Sequence, residues 1–163
     1  MKAKKTINSG KRAKHTGNRL ELFCEQTLIE KGYKEFWNHK DQAFVNRQTM
    51  GGKQYAKQIF VGTTIYESKR KADFLVINQK LFPDGLVIEC KWQQSGGSVD
   101  EKYPFLVLNI KKTVCPTIVL IDGGGYKASA KTWLTEQAHP NTALIGVWNM
   151  SEFQTKVNNG FLG

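Results

Sequence analysis

Ala72-Asp-Phe-Leu-Val-Ile77 and Leu86-Val-Ile-Glu-Cys-Lys-Trp92, joined by Asn78-Gln-Lys-Leu-Phe-Pro-Asp-Gly85, are the stretch that decides the fold of this chain. Both segments are rich in β-branched and aromatic residues, and turn-forming residues lie between them, so they predict an antiparallel hairpin. Asp73, Glu89 and Lys91 interrupt otherwise apolar sequence. Strand alternation puts Glu89, Lys91 and Gln93 on one face and Ile88, Cys90 and Trp92 on the other; Asp73 shares a face with Leu75 and Ile77. A turn centred near residues 81–82 sets Asp73 opposite Glu89 and Lys91, where side chains approach to about 5 Å. Two carboxylates so placed can hold one divalent cation, and a lysine beside them can orient or deprotonate a water. That combination suits metal-assisted hydrolysis of a phosphodiester. The plainer reading is a surface cross-strand ion pair, which the apolar character of both strands opposes, because buried charges are costly unless paired or bound to metal.

Asp84 competes with Asp73 for the role of first acid, since Pro83-Asp84 stands five residues before Glu89. Five extended residues span roughly 16 Å, too far for a shared ion. Asp84-Gly85 also has an ordinary explanation as turn residues.

Outward from the hairpin, a helix is expected from about Thr16 to Glu30, ending before Gly32, with Leu20, Phe23, Cys24, Leu28 and Ile29 forming its apolar stripe. Residues 33–54 resist assignment, with a turn or loop at Met50-Gly51-Gly52. Gln54–Gly62 and Thr64–Tyr66 predict one or two strands. Beyond the hairpin, Val99–Lys112 is partly helical with its start limited by Pro104. Thr117–Ile121 reads as a buried strand, Ser129–Gln137 as a helix, Ala143–Trp148 as a strand, and Ser151 as the cap of a last helix. Such alternation predicts an α/β fold with a mixed sheet flanked by helices. No linker divides the chain, and 163 residues suit one domain.

The net charge is +10, and residues 1–19 account for +7 of it with no acid. Residues 1–16 are expected to form a flexible basic arm ahead of a single domain spanning 17–163. Such an arm suits phosphate-backbone contact, or else serves as a solvated tail. No apolar run is long enough to span a membrane. Cys24, Cys90 and Cys115 show no paired spacing, which points to a reduced, cytoplasmic compartment.

Asp73, fifteen intervening residues, then Glu89-x-Lys91-x-Gln93 resembles the PD-(D/E)XK nuclease superfamily, with its restriction-endonuclease-like fold. The resemblance covers roughly residues 17–150 and is nearest to small stand-alone members. Ala72 stands where the superfamily name has proline. The resemblance implies Asp73 and Glu89 as ligands of Mg2+, with Mn2+ able to substitute, Lys91 as the catalytic lysine, and the backbone carbonyl of Cys90 as a further ligand. It also implies a glutamate on the first helix, Glu21 or alternatively Glu25, and a supporting role for Gln93. The implied activity is that of a DNA endonuclease similar to type II restriction enzymes, working as a homodimer or higher oligomer. A structure-selective nuclease resembling Holliday-junction resolvases, or a DNA-binding module without catalysis, are the alternatives.

Candidate DNA contacts are Lys11, Arg12, Lys14 and Arg19 from the arm, Lys53 within the Gln48–Lys57 segment, and Lys69-Arg70-Lys71 before Asp73. The last trio reads equally as a solvated strand entry. Asp122-Gly-Gly-Gly125 is either a tight strand-to-helix turn or a cradle for a phosphate.

Overall fold

The structure, a computed structural model, describes residues 9–37, 52–113 and 115–163, with the backbone alone for residues 9–18 and 37. Its elements run α1 (Ser9–Glu30), β1 (Lys34–Trp37), β2 (Lys53–Thr63), β3 (Lys69–Asn78), β4 (Phe82–Trp92), α2 (Tyr103–Lys112), β5 (Thr117–Asp122), α3 (Ala128–Glu136), β6 (Leu144–Trp148) and α4 (Met150–Asn158). The strands form one six-stranded sheet in sequential order. β2, β3 and β4 are antiparallel neighbours, while β1 joins β2, and β5 and β6 join β4, in parallel. This is the α/β mixed sheet with flanking helices that the sequence predicts.

β5, apolar from Ile118 to Ile121, is buried on both faces, as parallel strands covered by helices are. Ile118 and Leu120 pack with Leu20, Cys24 and Leu28 of α1 and Phe153 and Val157 of α4. Val119 and Ile121 pack on the other side with Tyr103, Val107 and Ile110 of α2 and Leu134 of α3. Ile29 falls outside the α1 stripe and is 49% exposed, because its angle about the helix carries it away from Leu28. The helix ends as expected: Gly32 takes φ 82°, and the amides of Gly32 and Tyr33 close back onto Ile29 O and Leu28 O.

Several boundaries differ from expectation. α1 begins at Ser9, so the second half of the expected arm is helical backbone; residues 1–8 lie outside the described residues. β1 has no counterpart in the sequence reading, being a four-residue strand at the sheet edge. Thr64–Tyr66 forms the turn between β2 and β3 instead of a strand. The last helix is capped by Asn149, not Ser151: Asn149 Oδ1 accepts from the Glu152 amide and Glu152 Oε2 from the Asn149 amide. Met50 and Gly51 lie outside the described residues. No helix among the described residues is long and apolar enough to cross a membrane.

Candidate active site

The site lies where the sheet forks. β3 and β4 pair from Asn78↔Phe82 to Phe74↔Ile88, and there their ladder stops. Beyond that rung β3 stays with β2 as far as Lys69↔Thr63, and β4 stays with β5 as far as Trp92↔Asp122. The hairpin register is centred as expected, so Asp73 and Glu89 flank the opening. Cys90, which pairs with Leu120 of β5, donates its amide across the opening to Asp73 Oδ2 at 2.7 Å.

Simple alternation fails at this point. Ala72 and Leu75 pack in one cluster although three residues apart, and Phe74 packs on the opposite face. β2 shows the same slip, with Ala56 and Ile59 in one cluster. Asp73 sits at the slip and therefore does not simply share the face of Leu75 and Ile77. Two strands changing face at one rung turn Ala72 and Arg70 inward on the side that carries Glu89.

Lys91 Nζ lies 2.8 Å from Glu89 Oε2, 3.5 Å from Asp73 Oδ2 and 3.5 Å from the Cys90 carbonyl oxygen. Three acceptor oxygens, from Asp73, Glu89 and Cys90, thus converge on one ammonium. Burial pulls the Lys91 pKa down, but the Glu89 and Asp73 carboxylates outweigh it, and the net shift is upward. The lysine is therefore firmly cationic in this arrangement. The Cys90 thiol is pushed well up by its hydrogen bond with Cys24 and by burial, so the residue offers its carbonyl and not a thiolate. Among the described residues no three His, Cys, Asp or Glu side chains form a ready metal cluster. Two carboxylates and a carbonyl nonetheless make an all-oxygen donor set that suits magnesium, which keeps most of its positions for water and phosphate.

Arg70 departs most from the expected surface contact. Its guanidinium is not at the surface for a phosphate: it is buried, donates to Glu89 Oε1 at 2.7 Å, and also binds Asn109 O and Thr113 Oγ1 at the end of α2. Local pattern gives only a hint, since Arg70 stands two residues from Ala72 on β3; its partners come from the end of α2 and from β4. Lys53 is likewise committed elsewhere, donating to Lys31 O and Gly163 O at the far end of β2. Lys69 and Lys71 are exposed over the Phe60 ring, and exposed Arg19 lies over Trp92, 5.9 Å from the ring centroid. The side chains of Lys11, Arg12 and Lys14 lie outside the described residues, as does the segment from Gln48 to Gly51.

Of the two helix glutamates, Glu25 is engaged by Lys57 at 2.6 Å and by Tyr55 Oη at 2.9 Å. Glu21 faces the fork: burial first, then the Asp73 charge, raises its pKa, with Lys91 partly opposing. A raised carboxyl pKa destabilises the folded state at neutral pH, because the unfolded chain ionises more readily. Glu21→Gln is therefore expected to raise the melting temperature at pH 7. The gain should shrink as pH falls through the raised value and vanish below about 4.5, where the carboxyl is protonated folded or unfolded. Thermal melts of both proteins from pH 4 to 8 check this, and a constant difference across that range would refute it.

Gln93 is buried and turned to structural work. Its amide donates to Gly125 O and its Oε1 accepts from Tyr103 Oη. The Asp122–Gly125 loop packs on this strand end so closely that a Cβ on Gly123 would stand 2.4 Å from Gln93 O, and one on Gly125 2.4 Å from the Ser95 amide nitrogen. Close backbone approach is thus sufficient reason for these two glycines. Asp84 is exposed within a bulge of β4, where Gly85 takes φ 95°.

The sheet thus forks around two acids and a lysine, with Glu21 of α1 near enough to feel the Asp73 charge. The family model described as the PD-(D/E)XK nuclease superfamily domain matches residues 12–161. Neither the curated proteins nor the solved structures contain a match. The family match spans nearly the whole chain, including every element that builds the fork, and on that ground the chain belongs to the PD-(D/E)XK nuclease superfamily.

Proposed function

We propose that this protein is a divalent-metal-dependent DNA endonuclease of the type II restriction kind, with Asp73, Glu89 and the Cys90 carbonyl holding Mg2+ or Mn2+. The observation that carries the proposal is the convergence of Glu89 Oε2, Asp73 Oδ2 and Cys90 O on Lys91 Nζ. A cation occupies that spot here, and it is the ammonium. Nucleic acid is the substrate class the superfamily implies, and a bound divalent ion would supply Lewis-acid stabilisation of charge on the phosphate. Lys91, held cationic by its neighbours, acts as a donor that orients the attacking water or a phosphate oxygen. Glu21 adds a third acid at the edge of the site. Exposed Lys69, Lys71 and Arg19 offer positive charge for the backbone on either side, with the basic N-terminal segment adding to it. Cutting both strands of a duplex calls for two such sites, which a homodimer would provide. The free cysteines suit a reducing, cytoplasmic setting.

The test is incubation of the purified protein with a complex duplex library, single-stranded DNA and four-way junctions, with Mg2+, Mn2+ or EDTA. Cleavage of duplex that requires the divalent ion, with ends sequenced for a common site, is the expected result. Preference for junctions would replace the restriction reading with the resolvase one. No cleavage of any substrate with either metal would defeat the catalytic proposal.

A further inference from the structure

Gln58 stands across the β2–β3 ladder from Asp73, between the rungs Lys57↔Phe74 and Ile59↔Ala72. Its backbone is left-handed, with φ 50°, a conformation that glycine or asparagine adopts far more readily. The residue is exposed, yet its Nε2 donates to Asp73 Oδ1 at 3.1 Å. Asp73 is thereby sorted oxygen by oxygen. Oδ1 belongs to Gln58, and Oδ2 takes the Cys90 amide and faces Lys91. Glu89 is sorted in the same way, Oε1 to Arg70 and Oε2 to Lys91. Unusual backbone of this kind gathers at functional sites, where surrounding contacts hold it. It lies at the rung where β2 and β3 change face.

We infer that Gln58 is a positioning residue, which fixes the rotamer of Asp73 so that one chosen oxygen faces the point shared with Glu89 and the Cys90 carbonyl. The inference rests on the proposed metal site and concerns how that site is tuned. Hydrogen-bond partners of a ligating carboxylate typically change metal affinity by roughly 10–100-fold. The test is Mn2+ binding to the free protein, without nucleic acid, followed by electron paramagnetic resonance in wild type, Gln58→Gly, Gln58→Asn and Asp73→Asn. Glycine and asparagine both suit the left-handed backbone, and neither carries an amide as far as Asp73 Oδ1. Both variants should melt at or above the wild-type temperature and bind Mn2+ about tenfold more weakly. Wild-type Mn2+ affinity in both would overturn the inference, whether or not DNA affinity measured in Ca2+ falls, since a fall there alone would make Gln58 a substrate contact. Weakening that merely follows a lower melting temperature would also overturn it. Equal binding by wild type and Asp73→Asn is a different outcome: it would remove the metal site itself, and the inference with it.

Discussion

In Lys91→Ala, single-turnover hydrolysis of DNA is expected to fall by roughly 10²–10⁴-fold, the usual contribution of a positioned proton-transfer or charge-stabilising side chain. The direction of the accompanying change in cation binding is the sharper part. Lys91 Nζ occupies the point on which Glu89 Oε2, Asp73 Oδ2 and Cys90 O converge, so any divalent ion sharing those oxygens must displace it. Removing the ammonium removes a competitor and leaves the local charge more negative. Mn2+ should therefore bind Lys91→Ala at least as tightly as wild type while turnover collapses, and DNA affinity in Ca2+ should hold. Turnover at the wild-type rate would take Lys91 out of the chemistry. Mn2+ binding that weakens together with turnover would instead make the lysine a structural support of the two acids.

Arg70→Met should cost about 3–5 kcal/mol of folding stability, the range for breaking a buried ion pair by removing one partner. The Arg70 and Glu89 side chains are only 5% and 6% exposed and 2.7 Å apart, so screening by water is slight. Lys91 still faces Glu89 in this variant, which favours the lower end of the range. For a chain of this size the melting temperature should drop on the order of 10 °C. Arg70→Lys should recover only part of the loss, because one ammonium cannot serve Glu89, Asn109 O and Thr113 Oγ1 together. Combining Arg70→Met with Glu89→Met should recover much more, since replacing both buried charges by apolar side chains is often close to neutral. Urea unfolding of wild type, Arg70→Met, Glu89→Met and the double variant measures the coupling. A loss below about 0.5 kcal/mol in Arg70→Met would place it among ordinary surface substitutions and refute the structural role of the pair.

These expectations mark where the residues speak locally and where they do not. The hairpin was legible because apolar runs, turn residues and a fixed register all point the same way, and the register alone favours Asp73 over Asp84. Pro104 near the start of α2, Gly32 after α1 and the apolar run of β5 were legible for similar reasons. The Asn149 cap is also written in the sequence, as Asn-x-x-Glu, a fuller signal than Ser151 two residues on. β1 was not, since four residues that gain order only by pairing in parallel with β2 carry no periodicity of their own.

Within the site, residue types and spacing determined that two acids and a lysine meet at one end of a hairpin. Long-range packing decided the rest. Whether Arg70 is a surface charge or the buried partner of Glu89 depends on the end of α2, nearly 40 residues away in sequence. Which oxygen of Asp73 faces Lys91 depends on Gln58, fifteen residues back on another strand. The physical reason is the same for both. Alternation predicts the facing of a side chain only while a strand stays regular, and this sheet forks and slips at the rung that carries Asp73.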